Sequence, residues 1–324
     1  MASCAAAAAA TRRQPRIFRW SSRLVIDRCS PGCSCSAIPP RSCLTWGRGP
    51  ERLVNQDHPQ GVAPIREIRI ADWDAFIHYI DGRDGWAFRG QSDAGWPLLS
   101  SLSRRLRDSG ADLGTWRERE ERAIRIFRRK AHIYLPDRSV LIDALRCLAM
   151  MQHHGAPTRL LDFTKSPFVA AFFAVEHASG DSAVYALDTQ RLWTVAPQFD
   201  ARLTRDAVDP QVPGNFERWF APGAYPLVWL GEPSEMDRRL VAQSGLLVMP
   251  GTLGPPLDVL LNAYDDETPL IEKVVFDRTL RAEAMHQLYR MNITQATLFP
   301  DLEGLARSIA YELEETWPIT GRET

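Results

Sequence analysis

The chain has 324 residues and a formal net charge of −1, with 45% hydrophobic and 24% charged residues. That globular balance excludes collagen, coiled coil and a wholly disordered chain, and near-neutrality argues against a protein that coats nucleic acid by bulk basicity. The longest apolar run, residues 168–175, is eight residues long, and a membrane-spanning helix needs about 20.

The charge is uneven. Residues 1–50 hold eight Arg, no Lys and a single acid, Asp27, giving +7, so the remaining residues carry −8. Five of the six Cys (Cys4, Cys29, Cys33, Cys35 and Cys43) also lie there. Residues 1–60 therefore read as a tail distinct from the body. Three readings compete for it: a disordered or spurious translated head, an organellar transit peptide, and a small metal module. The cysteine spacings lack the paired pattern of a structural zinc site. The chain has 36 Arg against 3 Lys, the bias of a GC-rich genome, which favours the first reading. The body's only cysteine, Cys147, points to a reducing compartment. A cytoplasmic location is expected, with organellar targeting by residues 1–50 as the alternative.

The body, residues 61–324, reads as one domain. A short strand is expected at residues 65–70. Asp72 is placed to cap a helix whose apolar residues Trp73, Phe76, Ile77 and Ile80 recur at helical spacing. Residues 86–91 read as a strand running into a turn. Thr115 and Glu118 have capping-box spacing before a charged helix to about His132. A second helix is expected at 140–152, ended by Gly155-Ala156-Pro157, then a strand at 158–163. Ser166-Pro167 opens an apolar helix to Ala178. Strands follow at 183–187, 225–230, 245–249 and 271–276. Helices are expected at 234–243, 279–291 and 301–315, and residues 189–222 read as an aperiodic insertion. Irregular alternation of strands and helices predicts an α+β fold: a central sheet with flanking helices.

Familiar catalytic signatures are missing: there is no P-loop, nucleophile elbow, zincin helix or dinucleotide fingerprint. No aromatic-plus-basic strip suggests RNA recognition. Cys147 sits on an apolar helix face and reads as core. His153 and His154 lack accompanying metal-ligand spacing, so no metal site is expected.

Two segments carry more polar groups than packing alone requires. In Phe88-Arg89-Gly90-Gln91, an arginine follows an aromatic, and the glycine leaves room beside the guanidinium, a planar donor suited to phosphate or carboxylate. The alternative is an ion pair between Arg89 and Asp162. The second segment, residues 151–167, gathers Gln152, His153, His154, Thr158, Arg159, Asp162, Thr164 and Ser166 between two apolar helices. Arg159 and Asp162, three apart, are placed to pair; Ser166 reads as a helix cap. The functional reading makes Arg89, Gln91, His153, His154, Thr158, Arg159, Asp162, Thr164 and Ser166 a ligand-binding set, with an anion or ribose at the start of the Pro167 helix.

Phe88-Arg89-Gly90-Gln91, the run from Gln152 to Thr164, Ser166-Pro167 and Ala170–Ala174 together resemble the FRG domain. Residues 242–246 and 298–302 extend the resemblance over about 66–312. The order of features is also similar to that of ADP-ribosyltransferases. The resemblance implies NAD or a related nucleotide as ligand, Arg89 on the diphosphate, Thr164-Lys165-Ser166 near the ribose, and a late catalytic carboxylate. Glu232 and Glu235 are the candidates for that carboxylate, although neither lies in a Glu-x-Glu strand. Without such a group, transfer chemistry loses a large electrostatic contribution. Three functions stay open: an ADP-ribosyltransferase-like enzyme or NAD glycohydrolase, a non-catalytic nucleotide or anion binder, and a structural interaction domain.

Overall fold

The structure, a computed structural model, describes residues 65–264 and 268–313. The tail lies outside the described residues. Among them, seven strands build one mixed sheet: β1 Arg66–Ile70, β2 Ala87–Gln91, β3 Leu161–Thr164, β4 Ser182–Leu187, β5 Val228–Gly231, β6 Gly245–Pro250 and β7 Ile271–Phe276. Their spatial order is β1-β7-β4-β2-β3-β6-β5. The β1–β7 pair is parallel and every other pair is antiparallel. The helices are α1 Trp73–Ile80, α2 Ser101–Asp108, α3 Trp116–Ala131, α4 Ala144–His153, α5 Pro167–Val175, α6 Thr189–Thr194, α7 Arg238–Ala242, α8 Leu257–Leu261, α9 Arg281–Arg290, α10 Gln295–Leu298 and α11 Leu302–Tyr311. This is the expected α+β architecture.

Strand alternation sorts the core into two faces. One face carries Phe88, Val184, Ala186, Val274 and Phe276 against α1, α5 and α9. Further along that face, Leu247, Trp229 and Met249 pack on α3 and α4. The opposite face carries Ala87, Leu161, Phe163, Tyr185 and Leu230 against Leu98 and α8.

Local signals set the helix starts. Asp72 accepts from Ala75 N at 2.7 Å, and Ser166 accepts from Val169 N at 3.3 Å with Pro167 at the first helical position. The predicted capping box at Thr115 does not form. Thr115 is itself helical, because a short turn over Leu113–Thr115 precedes α3, and its hydroxyl donates to Asp112 O at 2.7 Å. The predicted strand at 158–163 begins later, at Leu161. Thr158 is drawn instead to α2, accepting from Leu102 N at 3.1 Å. Residues 189–222 are not a bare loop. They contain α6 and a widened helical turn over Phe216–Phe220, and bury Leu192, Leu203, Val208 and Phe220. Apolar residues spaced singly along an irregular path leave no period to read.

The central helix α5 is almost wholly apolar, and Ala170, Ala171, Phe172 and Ala174 are fully buried. It lies directly on β2 at Gly90. A Cβ added there would stand 2.1 Å from Ala170 O and 2.5 Å from Ala174 N. Both are backbone atoms in the middle of a helix, so neither can yield as a side-chain tip does. The glycine therefore serves the helix, not the guanidinium beside it, which corrects the reading of the sequence. Overpacking a core typically costs about 1–3 kcal/mol and sometimes more. Gly90→Ala is expected to lower the stability of the full chain by at least about 3 kcal/mol. An unchanged midpoint in denaturant unfolding would show that α5 and β2 separate easily.

Candidate functional site

The second polar segment begins where α4 stops. Gly155, with φ +78, takes the left-handed position after the helix. Gly155 N donates to Gln152 O and Ala156 N to Met151 O, both at 2.9 Å. This paired closure needs a residue that tolerates positive φ. It leaves Gln152 and His153 in the last helical turn, half-buried, and His154 exposed. The two adjacent histidines differ in exposure, and their rings meet edge to face at 4.8 Å.

Gln152 then organises the chain that follows. Its Nε2 donates to Asp162 Oδ1 at 2.6 Å, and its Oε1 accepts from the Thr158 hydroxyl. Thr158 Oγ1 in turn accepts from Leu160 N at 3.2 Å. His153 Nδ1 faces Asp237 Oδ2 at 3.1 Å. The other oxygen of Asp237 caps α7 by accepting from Leu240 N at 2.9 Å. Around these groups lies a cleft of about 50 Å³, lined chiefly by Gln152, His153, Asp162, Asp237, Arg239 and Gln243. The guanidinium of Arg239 lies over the Phe299 ring at 4.5 Å. Gln243 is pinned by Nε2 donating to Leu298 O at 3.1 Å. The cleft is therefore polar, carries two carboxylates and one guanidinium, and has its main side chains held in place.

The remaining predicted residues lie elsewhere. Thr164 donates to Gln243 O at 2.6 Å and accepts from Ser166 N at 3.0 Å. Ser166 caps its own helix. Both hydroxyls thus brace the turn between β3 and α5. Arg89 does not form an ion pair with Asp162. The strands β2 and β3 share one bridging pair, Phe88 and Thr164. Beyond it, Arg89 Nη1 donates to the Asp162 backbone carbonyl at 2.6 Å. Arg89 and Gln91 point to the sheet face opposite the Asp162 carboxylate, because they alternate with Phe88 along the strand. Of the candidate glutamates, Glu232 pairs with Lys165 and Glu235 with Arg146. Neither lines the cleft.

Arg159 corrects the sequence reading most sharply. Its side chain has no exposed surface. Nε donates to Glu120 Oε1 at 2.8 Å and Nη2 to the other oxygen of the same carboxylate. Nη1 donates to Phe220 O and Pro250 O at 2.9 and 3.2 Å. The guanidinium is consumed inside the core, where a buried charge requires such partners. It pairs neither with Asp162 nor with a ligand.

Sequence reasoning missed Asp237 and Arg239. One signal was available: Asp237 stands three residues before Leu240, a capping spacing. Its pairing with His153 bridges distant parts of the chain and leaves no mark in either segment.

Among the described residues, no group of three or more His, Cys, Asp or Glu side chains is placed to hold a metal ion. No helix among them is long and apolar enough to cross a membrane. The FRG domain family model matches residues 84–183. Over this segment the chain is similar to the FRG domain family. The matched span holds β2, α2, α3, α4, β3 and α5, and ends inside β4. It contains Gln152, His153 and Asp162, and excludes Asp237 and Arg239. No curated protein and no solved structure matches the chain.

Glu120→Gln leaves the Arg159 charge buried without its counter-ion. A loss of about 3–5 kcal/mol is expected, read as a lower midpoint in urea. Replacing both residues with apolar ones, Arg159→Met with Glu120→Leu, should recover most of it. Equal stability of Glu120→Gln and the parent would refute a structural role for the pair.

Proposed function

We propose that this FRG-domain protein binds a nucleotide-like ligand, NAD included, in the cleft between α4, β3 and α7. Recognition is its activity; Glu232 and Glu235 take no part in group transfer. The observation that carries the reading is the convergence on one cleft of two carboxylates and one guanidinium. Gln152 donates to Asp162, and His153 Nδ1 lies 3.1 Å from an Asp237 oxygen. Arg239 lines the same cleft.

Ribose presents neighbouring hydroxyls, which are donors, and a carboxylate is an acceptor with free lone pairs. Asp162 and Asp237 would take the hydroxyls, and Arg239 the adjoining phosphate. A volume of about 50 Å³ is far below the roughly 300–1,000 Å³ of pockets that enclose a small molecule. The cleft would therefore grip one part of the ligand and leave the rest along the surface. Weak binding follows from so small a contact. Arg89 would act at one remove, fixing the β3 backbone at Asp162. A cytoplasmic setting accords with Cys147, a free and buried thiol.

A transferase or glycohydrolase reading draws on the same two carboxylates, since a charge near the ribose would steady an oxocarbenium-like transition state. One experiment separates the readings. The full chain is titrated calorimetrically with NAD, ADP-ribose and AMP, and nicotinamide release is followed in parallel. Binding without release is expected, weakened at least about tenfold by Asp162→Ala or Asp237→Ala, as for loss of a charged hydrogen bond. Release abolished by those substitutions would establish transfer chemistry. Absence of heat with all three ligands would refute the cleft as a nucleotide site.

A further inference from the structure

Acids and bases are segregated along α3. Its glutamates, Glu118, Glu120 and Glu121, lie in the first two turns. From Arg122 to Ile142 the chain holds six cations and one acid, Asp137, giving +5, although residues 51–324 as a whole carry −8. That acid is already engaged: its two oxygens accept from Ser139 N at 2.8 Å and from the Ser139 hydroxyl at 2.6 Å. The helix buries Trp116, Glu120, Ile124 and Ala131. Helical periodicity turns Arg122, Arg125 and Arg129 to the other side, and all three are exposed. Among the described residues only Arg125 of these three has an ion pair, with Glu121.

Apolar side chains crown the same end. Ile133 N donates to Lys130 O and Tyr134 N to Ala131 O, which carries the turning path past the end of α3. The connection to α4 is pinned from beneath: Leu135, Val140 and Leu141 pack in the same core as Ile124 and Ala131. Its outward residues stand clear, with Ile133 67% exposed, Tyr134 80% and Ile142 82%. Exposed apolar residues scattered singly are ordinary, but several together mark an interaction surface. Cations in the last turn of a helix suit its dipole, which accounts for Arg129 and Lys130 but not for the isoleucines beside them.

The chemistry selects the occupant. Side chains this exposed protrude, and a deformable hydrocarbon phase takes them in without a matching pocket. Isoleucine offers nucleic acid neither a donor nor a ring to stack on. Guanidiniums without acidic partners suit anionic headgroups, and a tyrosine ring suits the level where headgroup meets hydrocarbon. The acidic remainder of the body is repelled by the same surface, which turns this end toward it.

We propose that the second half of α3 and the connection that follows it dock on an anionic lipid bilayer. Ile133, Tyr134 and Ile142 enter the interface, and Arg122, Arg125 and Arg129 lie against the headgroups. The attachment is peripheral and weakens as salt screens the charges. It shares no residue with the cleft.

The test is co-sedimentation of the full chain with vesicles of equimolar phosphatidylcholine and phosphatidylglycerol, and with vesicles of phosphatidylcholine alone. Binding to the anionic vesicles is expected, at least about tenfold tighter than to the neutral ones. The pair Ile133→Ser and Ile142→Ser should weaken it at least about tenfold. The pair Arg122→Gln and Arg129→Gln should weaken it about fivefold per cation. All four residues are exposed, so both variants should unfold at the parent's midpoint. The arginine-rich residues 1–50 are present in every sample, so binding that they alone supply would persist in both variants and would overturn the proposal. Absence of vesicle binding would do the same, as would equal binding to neutral and anionic vesicles. Loss with the arginine pair but not the isoleucine pair would also overturn it, and would point to a nucleic acid or another polyanion. Should one variant fail to fold, the other still decides.

Discussion

The contact of α5 with Gly90 fixes the layout of this domain. The backbone of a buried helix rests on the backbone of a strand with no side chain between them. Once α5 is seated, its first residue is fixed, and so is the turn from Thr164 to Ser166 that leads into it. That turn is tied to Gln243 through Thr164 and to Ser244 through Lys165 N. The beginning of β6 is thereby placed beside the end of β3. The cleft is assembled around this junction: β3 brings Asp162, α4 brings Gln152 and His153, and α7 brings Asp237 and Arg239. A side chain at position 90 would lift the helix and loosen all of these together.

Polar groups in the run of residues 151–167 divide by task rather than by sequence distance. Arg159 neutralises Glu120 inside the core and anchors two backbone carbonyls. Thr164 and Ser166 satisfy backbone groups at a strand end and a helix start. Gln152 links Thr158 to Asp162. Only Gln152, His153 and Asp162 of this run reach the cleft. Most of the polarity therefore answers the general demand that buried donors and acceptors be paired, and what is left over is the candidate chemistry.

The two faces of the sheet present different electrostatics. On the cleft side, Asp162 accepts from the Gln152 amide and Asp237 lies 3.1 Å from the His153 ring. On the other side, Arg89 Nε and the Gln91 amide are enclosed without a hydrogen-bond partner. The strand pair β2–β3 separates these environments. Because it is bridged at a single position, the Arg89 guanidinium reaches the Asp162 carbonyl and couples the two faces through the β3 backbone.

Local order was legible in the residues themselves. Asp72, Ser166-Pro167 and Gly155 marked helix ends because capping is a matter of a few neighbouring atoms. The apolar run of α5 announced a buried helix, and the strands of the body were visible as short apolar segments. The α+β class followed from their order. Tertiary structure alone decided which polar residues meet. Strand alternation sends Arg89 and Asp162 to opposite faces, although the sequence allowed them to pair. The partner of Arg159 is 39 residues away on α3, and that of His153 lies on α7. Gly90 is required by a helix that begins 77 positions later at Pro167. Capping and periodicity act within one or two turns of chain. Charge pairing, close approach and the walls of a cleft depend on segments that only folding brings together.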